Sequence, residues 1–435
     1  MHIKKTLLLI AASLASLAAE AKVNFSDHFE DRTLRLDYIF AGNNRTAQVF
    51  LSDMAQSPGW YGRRVNLDRL HLLGNGQIYV THPETRDTLY AQSFSTLFQE
   101  WQTTEQAASE YRAMENVFLV PFPKHPVDIT LQLTDTHRRV SVATMYRVDP
   151  TDILIRRIGE PATTPWSYLR KAGDSREKID LAFVAEGYTE DEMNIFHADC
   201  RRAMEAILSH EPFRSMADRF NFVAVAAPSR QSGISIPGKH QWVDTALGSH
   251  FDTFYSARYL TTLRLKRLHD VLAGIPYEHL ILLANTDNYG GGGIYNSYTL
   301  SSAHHATMEP VVVHEVGHSY GGLGDEYYYD DQYEVLYPAD TEPWEPNITT
   351  LVDFSSKWAD MLTPRQLRHI PTKPDGKDVY RQLGVYEGGG YQSKGVYRPV
   401  QECRMKINEA PAFCPVCERA LRRITDYQTV ELDRE

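Results

Sequence analysis

Apolar and polar residues alternate along the first third of the chain. Residues 33–40 (TLRLDYIF), 77–81 (QIYVT) and 127–133 (VDITLQL) place apolar side chains at about every second position, the period of a strand with one buried face. Gly42-Asn43-Asn44 and Gly74-Asn75-Gly76 supply turns between such runs. The pattern predicts an antiparallel β-sandwich over residues 22–160. Trp60, Tyr61 and Trp101 are expected to pack there rather than to bind sugar rings. No grouping of acids, histidines or cysteines in this part predicts chemistry.

The polar stretch at residues 160–165 (EPATTP) predicts a linker, placed over residues 161–169. Beyond them the texture changes. Short apolar runs at residues 179–185, 222–227 and 280–284 read as strands. Helical patterns at residues 190–208, capped at Thr189, and at residues 257–272 fall between them. Strands alternating with helices predict a mixed, mostly parallel sheet in an α/β domain over residues 170–435. The whole chain is then a multidomain α+β protein. Four consecutive glycines, Gly290 to Gly293, are followed by no Lys-Ser/Thr pair and so do not make a phosphate loop. Two readings stay open for them: an accessible strand edge for a peptide to pair with, or a flexible surface loop.

The run VVVHEVGHSYGGLGDEY, from Val311 to Tyr327, carries the candidate chemistry. His314 and His318 are four apart, so a helix puts both imidazoles on one face, within reach of one zinc ion. Glu315 sits beside them as the general base for a zinc-bound water. Thr307 is the expected helix cap and Pro310 falls in the first turn. Gly321, Gly322 and Gly324 end the helix and free the backbone to bring Asp325 or Glu326 back as third ligand. Tyr327 and Tyr295 are candidates to share the oxyanion.

Residues 1–21 carry Lys4 and Lys5, an apolar stretch and Ala19-Glu20-Ala21, which predicts a cleavable secretory signal and a secreted or periplasmic protein. No stretch is long and apolar enough for a membrane anchor. Removing Lys4, Lys5 and Glu20 takes the formal charge from −11 to −12, which argues against nucleic acid as a partner. With 42% hydrophobic and 23% charged residues the composition is that of an ordinary globular protein. Cys403, Cys414 and Cys417 fall within fifteen residues, far from Cys200. In an exported chain the expectation is a disulfide from Cys403 to Cys414 or Cys417.

The stretches HEVGHSYGGLGDEY, GGGGIYN, CRMK and FCPVC together resemble the M64 family of zinc peptidases, and more broadly the metzincins. The resemblance covers roughly residues 170–433, and the β-rich part resembles the accessory domain of bacterial members. It implies an exported zinc endopeptidase acting on a protein or glycoprotein. It further implies that His314 and His318 bind zinc, that Glu315 is the base and that Met405 belongs to a turn beneath the metal. The usual metzincin spacing would put the third ligand at Gly324. With Gly322 as the turning residue it shifts to Asp325, with Glu326 as the competitor. Neighbours in an extended segment face opposite ways, so one acid facing the metal turns the other aside. The alternatives are a zinc exopeptidase or amidase, and a catalytically silent glycan- or protein-binding protein on a peptidase fold.

Overall fold

The structure is a computed structural model that describes residues 22–330 and 335–433. The expected signal, residues 1–21, lies outside the described residues. The chain is a multidomain α+β protein built mostly of strands.

The alternating N-terminal runs become strands β1 (Phe29–Gly42), β2 (Ala47–Pro58), β3 (Gly76–Thr81), β4 (Thr88–Phe94), β5 (Arg112–Pro123), β6 (Val127–Thr134), β7 (Val140–Val148) and β8 (Arg156–Arg157). They form two four-stranded sheets, in the orders β5-β1-β2-β8 and β4-β3-β6-β7. Leu34, Leu36, Tyr38 and Phe40 of β1 share one core with Ile78, Val80, Ile129 and Leu131 of the other sheet. Burying a side chain of this size contributes about 2 kcal/mol. Trp60 and Trp101 are buried too, as packing residues.

The middle of the polar face of β1 does not meet water. Arg35 and Asp37 are buried and paired, with Nε to Oδ1 at 2.6 Å and Nη2 to Oδ2 at 2.9 Å. Arg35 also reaches Asp270 at 2.6 Å and the Lys266 carbonyl at 3.0 Å, on the helix Leu265–Val271. A buried pair of this kind is held by the hydrogen bonds that satisfy its remaining donors.

Strand β9 (Trp166–Arg170) takes up the end of the stretch expected as a linker and joins β10 (Ile179–Glu186), β11 (Phe220–Val225), β12 (His279–Ala284), β13 (Gly291–Ile294) and β14 (Tyr298–Ser302). The six-stranded sheet has the order β13-β14-β12-β10-β11-β9. Its four inner strands are parallel, and the edge strands β9 and β13 are antiparallel. Each residue of β10, β11 and β12 is buried, as near-continuous apolar runs require when both faces are covered. Ala182, Val184, Val223 and Leu282 face the core shared with the N-terminal sheets. Leu181, Phe183, Phe222 and Ile281 face three helices, Met193–Leu208, Met308–Ser319 and Pro415–Thr429. A three-stranded sheet of β15 (Tyr328–Tyr329), β16 (Tyr386–Gly389) and β17 (Tyr391–Arg398) lies beyond.

One expected helix is shorter, and the glycine run settles between its two readings. The helix expected over residues 257–272 is reduced to Leu265–Val271. Thr261 instead bridges His250 and bonds Thr253 through their hydroxyls at 2.6 Å, and such local polar bonds compete with helix. The glycine run is not a loop, since Gly291 to Gly293 belong to edge strand β13. No helix among the described residues is long and apolar enough to cross a membrane.

Candidate active site

The helix Met308–Ser319 buries Met308, Val312, Val313 and Val316 against the sheet. That packing leaves His314, Glu315 and His318 on the partly exposed side of the helix. Thr307 precedes the helix without capping it, because its hydroxyl bonds His305 Nδ1 at 2.8 Å. At the other end Gly322 takes φ +60°, a left-handed conformation that costs glycine little, and its N–H bonds the His318 carbonyl at 3.0 Å.

The reversal brings Asp325 back to the histidines. His314 Nε2 and His318 Nε2 are 3.0 Å apart, and each lies 3.2 Å from Asp325 Oδ1. His314 Nδ1 faces the Arg404 carbonyl at 3.0 Å and His318 Nδ1 the Leu323 carbonyl at 2.6 Å. A carbonyl only accepts, so each Nδ1 carries the ring proton and each Nε2 of a neutral ring presents a lone pair. Asp325 Oδ1 has no hydrogen-bond donor of its own. Three lone pairs aimed at one point repel unless a cation lies between them. Their spacing is close to the about 3.3 Å edge of a tetrahedral nitrogen and oxygen shell around an ion such as zinc. The residues present therefore fit a metal. Without one, a proton serves: burial disfavours the His318 imidazolium, but the Asp325 carboxylate outweighs it and raises the ring to about 9. Burial likewise works against the Asp325 carboxylate, yet the two histidines hold its carboxyl well below the usual range.

Glu315 stands one residue on, and a carboxylate oxygen of it lies within 4.8 Å of both histidine donor atoms. Burial pushes its carboxyl up, while His314 and His318 pull it part of the way back. The glycines of β13 let the edge strand press against this helix. A Cβ on Gly291 would come 2.7 Å from Glu315 Oε1, and one on Gly293 would come 2.4 Å from the Glu315 carbonyl oxygen. Gly293→Ala is therefore expected to cost about 1–3 kcal/mol of stability through overpacking, read by urea unfolding, and to lower activity with it. A Gly293→Ala protein as stable as its parent would show that the strand and helix do not need this close approach.

Glu326 faces the opposite way from Asp325, accepting from Asn347 Nδ2 at 2.9 Å and from Cys417 Sγ at 3.2 Å. Tyr327 stays near Asp325, packed on Tyr391 with ring centroids 5.2 Å apart. Tyr295 does not stay near. It is buried beside Trp344, with its hydroxyl 3.4 Å from Ser93 Oγ at the junction with the N-terminal sheets. Sequence reasoning missed Tyr391, whose hydroxyl donates to Asp325 Oδ2. It also missed Arg258, whose charge reaches Glu315 and which bonds the Tyr329 hydroxyl at 2.9 Å. Glu100 was missed as well: it accepts from the Tyr259 hydroxyl at 2.6 Å, and Tyr259 bridges Gly291 on the outer side of β13. None of the three sits in a local motif, so no signal in the sequence marked them.

The expected disulfide does not form, and Cys403, Cys414 and Cys417 are all free and buried. The Cys403 and Cys417 sulfurs are 3.9 Å apart, about twice a disulfide bond length. Met405, two residues after Cys403, lies under the motif helix, where a Cβ on Gly317 would come 2.5 Å from its sulfur.

Two family models match the chain. The model of the IgA peptidase M64 family matches residues 168–382 and 375–425. The model of the peptidase M64 N-terminus matches residues 24–144. A search of curated proteins finds no match to the chain. Together the two family models span the β-rich sheets and the part that holds His314, Glu315 and His318, and the chain belongs to the IgA peptidase M64 family of peptidases.

Proposed function

We propose that the protein is an exported, zinc-dependent endopeptidase acting on proteins or glycoproteins. The observation that carries this reading is the convergence of three lone pairs, from His314, His318 and Asp325, beside the Glu315 carboxylate. In this reading His314, His318 and Asp325 hold the zinc and Glu315 is the general base. A bound zinc supplies Lewis-acid polarisation of the scissile carbonyl and makes water easier to deprotonate. Glu315 takes a proton from the attacking water as its oxygen adds to the carbonyl carbon. It then returns that proton to the amine nitrogen as the C–N bond breaks. Tyr391 keeps Asp325 aimed by donating to its second oxygen.

The proposed organisation is a signal over residues 1–21, a β-sandwich accessory domain over residues 22–160, a linker over residues 161–169 whose last residues pair into the next sheet as β9, and a metzincin-like catalytic domain over residues 170–435. The contact between Gly317 and Met405 supports the metzincin-like part.

A chelator tests the reading. Incubated with an unfolded polypeptide, the purified protein is expected to release internal fragments visible by mass spectrometry. Cleavage is expected to stop after chelation and to return on adding zinc. Cleavage that persists after complete metal removal would refute the metal-dependent mechanism, and trimming from the chain ends alone would refute the endopeptidase assignment.

A further inference from the structure

The three free cysteines and Glu326 form a second cluster. One donor atom from each of Glu326, Cys403, Cys414 and Cys417 lies within 4.8 Å of every other, and all four residues are buried. The Cys403 to Cys417 sulfur separation of 3.9 Å is close to the about 3.8 Å edge of a tetrahedron with zinc–sulfur bonds of about 2.3 Å. Glu326 Oε1 is 3.2 Å from the Cys417 sulfur, and Glu326 Oε2 is buried with no donor. An unpaired carboxylate oxygen in an apolar core is costly unless something charged meets it.

We propose that Cys403, Cys414, Cys417 and Glu326 hold a second, structural zinc ion, separate from the one proposed at the histidines. Thiolate-rich donor sets select zinc among common divalent ions. Cys414 occupies the N-cap position of the helix Pro415–Thr429 and Cys417 lies one turn in, so both sulfurs share a face at the positive end of the helix. The Cys414 N–H points at the Cys403 sulfur at 3.3 Å. Three thiolates and a carboxylate around a divalent ion leave two negative charges. Two buried guanidinium groups offset them: the charge of Arg398 acts on Glu326 and that of Arg404 on Cys403.

The placement explains what such an ion does. Glu326 follows Asp325 directly, and its N–H bonds the Met405 carbonyl at 2.8 Å. The neighbouring Arg404 carbonyl orients His314. An ion at the cluster therefore ties the segment after Asp325 to the Cys403 segment and to the helix N-terminus at Cys414, and the first two of these position the residues proposed to hold the catalytic metal. It also protects three close thiols that an oxidising compartment would otherwise pair.

Metal content of the full-length protein tests this. Purified in zinc-containing buffer and freed of loose metal, the unaltered chain is expected to carry two zinc ions by elemental analysis. The His314→Ala/His318→Ala protein should keep one. Because cysteine variants can fail to fold, the second measurement uses that same histidine variant loaded with cobalt(II). It should show thiolate-to-cobalt charge-transfer absorption, which a site of nitrogen and oxygen donors does not give. Retention of one zinc in the histidine variant supports the cluster even if the unaltered chain also holds only one, an outcome that would sink the histidine site instead. Complete loss of zinc with the two histidines, or a peptide cross-linked between two of these cysteines in the non-reduced protein, would overturn the proposal.

Discussion

Glu315→Gln is expected to abolish nearly all peptidase activity, by at least about a thousandfold, while the protein keeps its metal. Gln matches Glu in size, so the close contact with Gly291 and the helix packing survive. The imidazoles and Asp325 are untouched, and they are the atoms that converge. What disappears is the proton acceptor within reach of that point. Elemental analysis beside a cleavage assay separates the two effects: metal retained with activity lost supports the base assignment. Near-normal turnover in Glu315→Gln would sink the mechanism. Loss of metal along with activity would mean that Glu315 holds the ion rather than serving as base.

The second large effect belongs to Asp325. Removing its carboxylate in Asp325→Ala leaves two histidines on one helix, which embrace only one side of an ion. Zinc affinity at this site is expected to fall by more than the roughly 10–100-fold typical of losing an outer hydrogen-bond partner. Tyr391→Phe provides the comparison, since it removes only the hydroxyl that bonds Asp325 Oδ2 and should fall within that smaller range. Competition with a coloured chelator measures both. Glu326→Ala is expected to weaken the histidine site less than Asp325→Ala does, because its side chain faces Asn347 and Cys417 and acts on that site only through the cysteine cluster. If Asp325→Ala keeps full affinity while Glu326→Ala loses it, the two acids have exchanged roles and the third-ligand assignment fails.

The elements that were legible in the chain are those whose cause is local. The apolar runs of β10, β11 and β12 and the alternation in β1, β3 and β6 follow from side-chain period, which neighbouring residues set. Thr189 and Glu192 lie three apart and close a capping box, bonding at 2.8 Å through the Thr189 N–H. His314, Glu315 and His318 share a helix turn, so their meeting needed only the helix. Gly322 as the turning residue was legible for the same reason, because a left-handed position after a helix favours glycine.

Everything that joined distant segments waited for the tertiary structure. Which acid turns to the imidazoles depends on Asn347, Met405, Gly390 and Tyr391, whose backbone and side-chain bonds grip residues 325 and 326 from later elements. The polar face of β1 read as solvent-facing because alternation reports which residues pair with water or core, and says nothing of a helix some 230 residues on that brings Asp270 to Arg35. Tyr295 sits close to the motif in sequence but turns to Ser93, since β13 and β14 form a hairpin whose tip meets the N-terminal sheets. The cysteines read as a disulfide from spacing and compartment alone. Their true relation is a distance set by where a helix N-terminus, the Met405 segment and Glu326 pack together, and a one-dimensional pattern carries no such distance.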